Sequence, residues 1–130
     1  MVTALVFLLV LAVLILVHEW GHFWVARRAG VKVEEFGFGF PPRLFAFLKK
    51  GTLFSVNLIP LGGFVKIFGE NDNELKTEGS FMSKPIFERA KIIAAGVIMN
   101  IVLAFVLLSS VQALGISTIF EGTIPPNVSN

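Results

Sequence analysis

Two long apolar stretches bracket the chain, and the pattern between them changes character. Residues 2–26 are apolar almost throughout, interrupted by polar side chains chiefly at His18, Glu19 and His22. As a helix rising 1.5 Å per residue, this stretch is roughly 37 Å long, enough to cross a ~30 Å hydrocarbon core with some tilt. Arg27, Arg28 and Gly30 follow, a basic last turn and a glycine suited to ending a helix. A cleaved signal peptide is the competing reading. It needs a basic leading region and a small-residue cleavage site, whereas here no charged side chain precedes Glu19 and there is no convincing Ala-x-Ala. A retained spanning helix is expected. Residues 92–114 form the second stretch, also long enough to span, with Asn100 as its strongly polar interior residue, four after Gly96.

Between them, residues 31–69 have neither a helical period nor the polarity of a plain loop. Gly37, Gly39, Pro41 and Pro42 punctuate the start. Residues 44–48 and 53–58 are short runs rich in phenylalanine, leucine and valine around Lys49-Lys50-Gly51-Thr52, which predicts a β-hairpin. Pro60, Gly62 and Gly63 close the second run, and residues 64–68 are positioned to extend once more. Phe36, Phe38, Phe40, Phe45, Phe47 and Phe54 make this region too apolar to stand in water, so it is expected to dip into the membrane. Such a dip requires protein or a watery cavity to satisfy its backbone. Residues 70–83 read as an exposed polar loop, and the residues from Ser83 to Lys91 as an interfacial lead-in to the second helix.

The expected class is an α-helical membrane protein: two transmembrane helices with a membrane-re-entrant β-hairpin or sheet between them. Its divisions are a first helix at 1–28, a re-entrant region at 29–69, and a polar loop and interfacial segment at 70–91. A second helix at 92–114 and a tail at 115–130 follow.

Composition agrees. Of 130 residues, 55% are hydrophobic and only 15% charged, with a mean hydropathy of +0.79, more apolar surface than a soluble domain of this size usually hides. The distribution of charge says more than the net +2. All 11 Lys and Arg residues fall between Arg27 and Lys91. That is the bias of a cytoplasmic loop held between two spans, with both termini outside the cytoplasm. It does not suit nucleic acid, which calls for a basic patch on a soluble face. Cysteine is absent, so thiolate ligands and disulfides are too.

The candidate chemistry lies in His18-Glu19-Trp20-Gly21-His22. On a helix, positions i and i+4 share a face, so His18 and His22 can hold one metal ion, with Glu19 beside them to take a proton from water at the metal. Three ionisable groups at the end of an apolar span are costly in lipid unless they serve a function. The chain has only these two histidines, so a further ligand must be a carboxylate, water or a residue from outside this sequence. Asn100 reads either as a polar tie between helices or as a side chain facing the metal. The readings to weigh are a metalloprotease, a membrane metal-binding or transport protein, and a non-catalytic remnant that kept the motif.

The motifs resemble those of the site-2 protease family of intramembrane zinc metalloproteases, peptidase family M50, in the bacterial regulator-of-sigma-E protease branch. The likeness runs in order through His18 to His22, Ala29 to Val33, Phe36-Gly37-Phe38-Gly39, Leu58 to Lys66, Glu88-Arg89-Ala90, and Ile93-Ala94-Ala95-Gly96 with Asn100. It implies Zn2+ on His18 and His22, with Glu19 as catalytic base. It also implies a re-entrant sheet that engages substrate as an added strand, with Phe54, Ser55, Val56 and Asn57 in the contacting segment and 53–58 as its edge, and Asn100 beside the site as a further substrate-binding residue, to the substrate backbone or the developing oxyanion. The implied substrates are transmembrane helices of membrane-anchored proteins such as anti-sigma factors, cleaved in the bacterial inner membrane during regulated intramembrane proteolysis. The family's third ligand is an aspartate on a later helix, usually beyond a PDZ-type domain. Asp72 matches nothing in that motif, so the sequence is expected to be the N-terminal part of such an enzyme and inactive alone.

Overall fold

The computed structural model describes residues 1–71 and 77–114; Asp72 and the 115–130 tail lie outside the described residues. Helix α1 runs Val2–Arg28 and helix α2 runs Ile86–Ala113. Neither contains a proline, and each carries an apolar window of mean hydropathy 2.6. Both are therefore long and apolar enough to cross a membrane. α2 starts behind Pro85 with Glu88 in its first turn, where a negative charge favours the helix dipole. The interfacial lead-in and the second apolar stretch are thus one continuous helix.

α1 ends with Ala29 as its C-cap and Gly30 at φ +71. Gly30 N–H donates to Arg27 O and Val31 N–H to Ala26 O, the paired bonds of a Schellman ending. Val31 and Ala26, both buried, supply the apolar contact that accompanies it.

The hairpin is much longer than the two short runs suggest. β1 covers Val33–Lys49 and β2 covers Thr52–Ile67, paired antiparallel through a two-residue turn at Lys50-Gly51 with φ of 50 and 79. Positive φ at both central residues matches the right-handed twist of the flanking strands. Each strand also bends, and residues 35–38 have partners on both sides. They pair antiparallel with 63–66 and in parallel sense with 53–56, while 43–49 pairs antiparallel with 52–57. Across the sheet the segments run 43–49, 52–57, 33–38, 63–67. The glycines and prolines at 39–42 and 60–63 thus mark bends within strands, where sequence alone suggested boundaries.

The core sits at the basic end of α1, where Phe23, Ala26, Val31, Val33, Phe36, Ile67, Phe81 and Ile92 pack together. Phe23, Phe36 and Phe54 meet with ring centroids 5.5–5.8 Å apart, edge to face or tilted, fastening the sheet to α1. A short 3₁₀ turn at Phe81–Ser83, capped by the Ser80 side chain, leads into α2.

Candidate metal centre

Helices α1 and α2 approach closely because Gly21 has no side chain: a Cβ there would sit 2.5 Å from Ala95 O. This contact sets the histidine face of α1 against α2. His22 Nδ1 lies 2.8 Å from the Ile92 carbonyl. A carbonyl can only accept, so Nδ1 carries the ring proton and Nε2 keeps its lone pair. This is the usual way a backbone carbonyl orients a ligating histidine.

His18 Nε2 and His22 Nε2 lie 3.1 Å apart. Two imidazole nitrogens ~2.05 Å from one ion and 3.1 Å from each other subtend an angle of roughly 100° at it, close to tetrahedral. The space for that ion exists because residue 96 is glycine. A Cβ on Gly96 would stand 2.5 Å from His22 Nε2 and 2.6 Å from His18 Nε2. The donors and the opening beside them fit a small divalent cation. Among the described residues no group of three or more His, Cys, Asp or Glu side chains could hold a metal.

Glu19 and His22 line a cleft of about 290 Å³ with Gly63, Phe64, Val65, Ile67, Glu70, Ile92 and Ile93. The sheet reaches this cleft through segment 63–67, whose second side has no strand partner among the described residues. Gly63 lies against α1, where a Cβ would be 2.9 Å from Ile15 Cγ2 and 3.0 Å from Glu19 Cγ.

The expectation that 53–58 forms the free edge does not hold, because residues 53–56 have neighbours on both sides. Phe54 lies among aromatic rings, stacked 5.4 Å from Phe47. Ser55 donates to Glu35 Oε1 at 2.6 Å, and Asn57 Nδ2 donates to Gly39 O at 3.0 Å. Val56 alone of the four is well exposed. The open edge at the cleft is segment 63–67, whose signal in the sequence is Gly62-Gly63 within the motif. Asn100 does reach the site, with its amide nitrogen 3.4 Å from His18 Nδ1.

The chain matches peptidase family M50 over residues 6–124 and belongs to that family. It is 47% identical over 102 residues to the regulator of sigma-E protease RseP of Escherichia coli, covering 75% of this chain and 23% of that protein. Against protease RseP of Yersinia pestis it is 42% identical over 117 residues, 87% of this chain and 26% of the relative. A Synechocystis relative provisionally named a zinc metalloprotease is 42% identical over 125 residues, 93% and 34% respectively. The resemblance to the RseP branch of the site-2 proteases is thereby established, and the chain spans about a quarter to a third of these relatives' lengths.

Proposed function

We propose that this chain carries the histidine–glutamate half of the centre of an intramembrane zinc metalloprotease that cuts transmembrane segments of anchored substrates such as anti-sigma factors. The observation that carries the reading is the convergence of His18 Nε2 and His22 Nε2, 3.1 Å apart at the opening left by Gly96, with Glu19 in the adjoining cleft. His18 and His22 hold the zinc, and an aspartate from the remainder of the enzyme completes the set. Zinc, when bound, supplies Lewis acidity that makes water nucleophilic near neutral pH and polarises a carbonyl. Glu19 takes a proton from the attacking water and returns it to the leaving amine nitrogen as the C–N bond breaks. The cleft and open strand edge serve no purpose in a metal carrier, so nothing favours that alternative.

Segment 63–67 receives the substrate. A helical carbonyl is shielded by its own hydrogen bonds, and pairing with an open strand edge holds an unwound segment extended beside Glu19. Phe54, Ser55 and Asn57 brace that edge from within the sheet.

The membrane placement rests on surfaces. α1 and α2 bury 0% and 17% of their apolar windows, so both present apolar side chains nearly all round. Arg28 stacks over Trp24 at 4.2 Å and Arg27 over Phe23 at 5.6 Å, an aromatic and basic collar suited to the cytoplasmic interface. His18, ten residues earlier, then lies roughly 15 Å deeper. Gly63 packs at the level of Ile15, deeper still, and the nearby bends expose Phe40, Leu58, Ile59 and Leu61. That is the re-entrant end of the sheet. In this arrangement the basic segment faces the cytoplasm and both termini lie outside it.

The test is where the cut falls. Product mass analysis of a membrane-anchored substrate incubated with the full-length enzyme should find cleavage within the transmembrane segment. Cleavage confined to soluble regions contradicts the reading.

A further inference from the structure

The carboxamide of Asn100 is poorly satisfied as placed. Its Oδ1 is buried without a hydrogen-bond partner, while Nδ2 lies 3.4 Å from His18 Nδ1. The two ends of a carboxamide are nearly isosteric, so its orientation follows from the hydrogen bonds it can make. The consequence for His18 differs between the two. With the nitrogen towards His18, Nδ1 must accept, the ring proton sits on Nε2, and the lone pair is taken from the side that faces His22 and Gly96. With the oxygen towards His18, Nδ1–H donates to it and Nε2 presents its lone pair at the opening.

His22 supplies the comparison. Its Nδ1 faces a carbonyl 2.8 Å away, which admits only the tautomer with a free Nε2. For both Nε2 atoms, 3.1 Å apart, to bind one ion, His18 needs an equivalent acceptor. Among the described residues, Asn100 is the side chain seen at its Nδ1. We propose that Asn100 is a positioning residue: its Oδ1 accepts from His18 Nδ1–H and holds His18 in the metal-binding tautomer. This rests on the zinc-protease reading and deepens it. The one residue on α2 then does for His18 what the Ile92 carbonyl, two turns earlier on the same helix, does for His22. Gly96 stands between them, so one stretch of α2 both opens the space for the ion and orients the two rings that would hold it.

The test measures zinc affinity of the full-length enzyme in detergent by competition with a chromophoric chelator, separately from turnover. Asn100→Leu keeps the size and removes the acceptor; Asn100→Asp keeps an acceptor and removes the donor. Loss of an outer-shell partner typically weakens metal binding by ~10–100-fold. The expected result is a loss of that order for Asn100→Leu, with Asn100→Asp within about threefold of wild type, since acceptance from Nδ1–H is retained. A His22→Ala control bears on the underlying reading alone: if it binds zinc as wild type does, the histidine pair is not the metal site. If that control loses zinc while Asn100→Leu binds normally, the positioning role is overturned. Equal losses in the Leu and Asp variants overturn it too, because the acceptor would then not be what matters. Helical content by circular dichroism, matched to wild type, separates either outcome from misfolding.

Discussion

Gly96 and His22 stand so close that a single methyl group on the former would lie 2.5 Å from the latter's Nε2. The helix interior at position 96 is therefore kept open where the two imidazole Nε2 atoms meet. An alanine there is favourable for helix propensity by up to about 1 kcal/mol, so the substitution separates helix stability from the metal. Gly96→Ala should leave the protein helical and lower zinc affinity by on the order of 100-fold or more, at or above the effect of losing an outer-shell partner. Chelator competition alongside circular dichroism checks both halves. Normal zinc binding in this variant would mean that the ion does not occupy the space beside residue 96.

Gly63 makes a different prediction. A Cβ there meets Ile15 and the Glu19 Cγ at 2.9 and 3.0 Å, with no atom of either histidine among its nearest neighbours. Gly63→Ala should lower kcat by at least about tenfold, because displacing a catalytic group by even 1 Å can cost ~100-fold, while zinc content stays at the wild-type level. Turnover and metal analysis of the same preparation decide it. Loss of zinc would show that the sheet supports the ligands as well as Glu19.

The strand register distinguishes two proline substitutions. Phe68 N–H donates to Lys32 O, so by alternation along the strand Val65 turns its N–H to the unpartnered side. Val65→Pro should leave the fold and zinc intact and impair cleavage. Val56→Pro falls in a segment paired on both sides and should lower thermal stability markedly, since proline is tolerated at edges and not in central strands. Equal stability of the two variants would contradict the segment order described.

Topology is open to a labelling experiment. Single cysteines introduced at Lys49, beside the hairpin turn, and at Leu114, past the end of α2, should react with an impermeant thiol reagent from opposite sides of the membrane. Labelling of both from one side would remove the two-span arrangement.

Much of this was legible in the sequence. Unbroken apolar length gave both helices, and the i, i+4 spacing put His18 and His22 on one face. The glycine in Lys49-Lys50-Gly51-Thr52 marked the turn, whereas nothing in the sequence signalled the positive φ of Lys50. What escaped was the sheet's folding back on itself. Residues 35–38 lie beside 53–56 through contacts no local period encodes, so Leu53–Leu58 read as an edge when its residues 53–56 are interior. The glycines and prolines at 39–42 and 60–63 carry the same signal for a bend as for an end. Asn100 stood out as polar in an apolar helix, but its partner, 82 positions away in sequence, appears only when Gly21 and Ala95 bring the helices together.

In the proposed division of labour, His18 and His22 hold zinc while Glu19 moves the proton. The most direct measurement is zinc per molecule and turnover, taken together, on full-length Glu19→Gln and His22→Ala enzyme. Glu19→Gln is expected to retain near-stoichiometric zinc with cleavage abolished, and His22→Ala to lose both. Residual turnover near wild type in Glu19→Gln, or full zinc in His22→Ala, would contradict it.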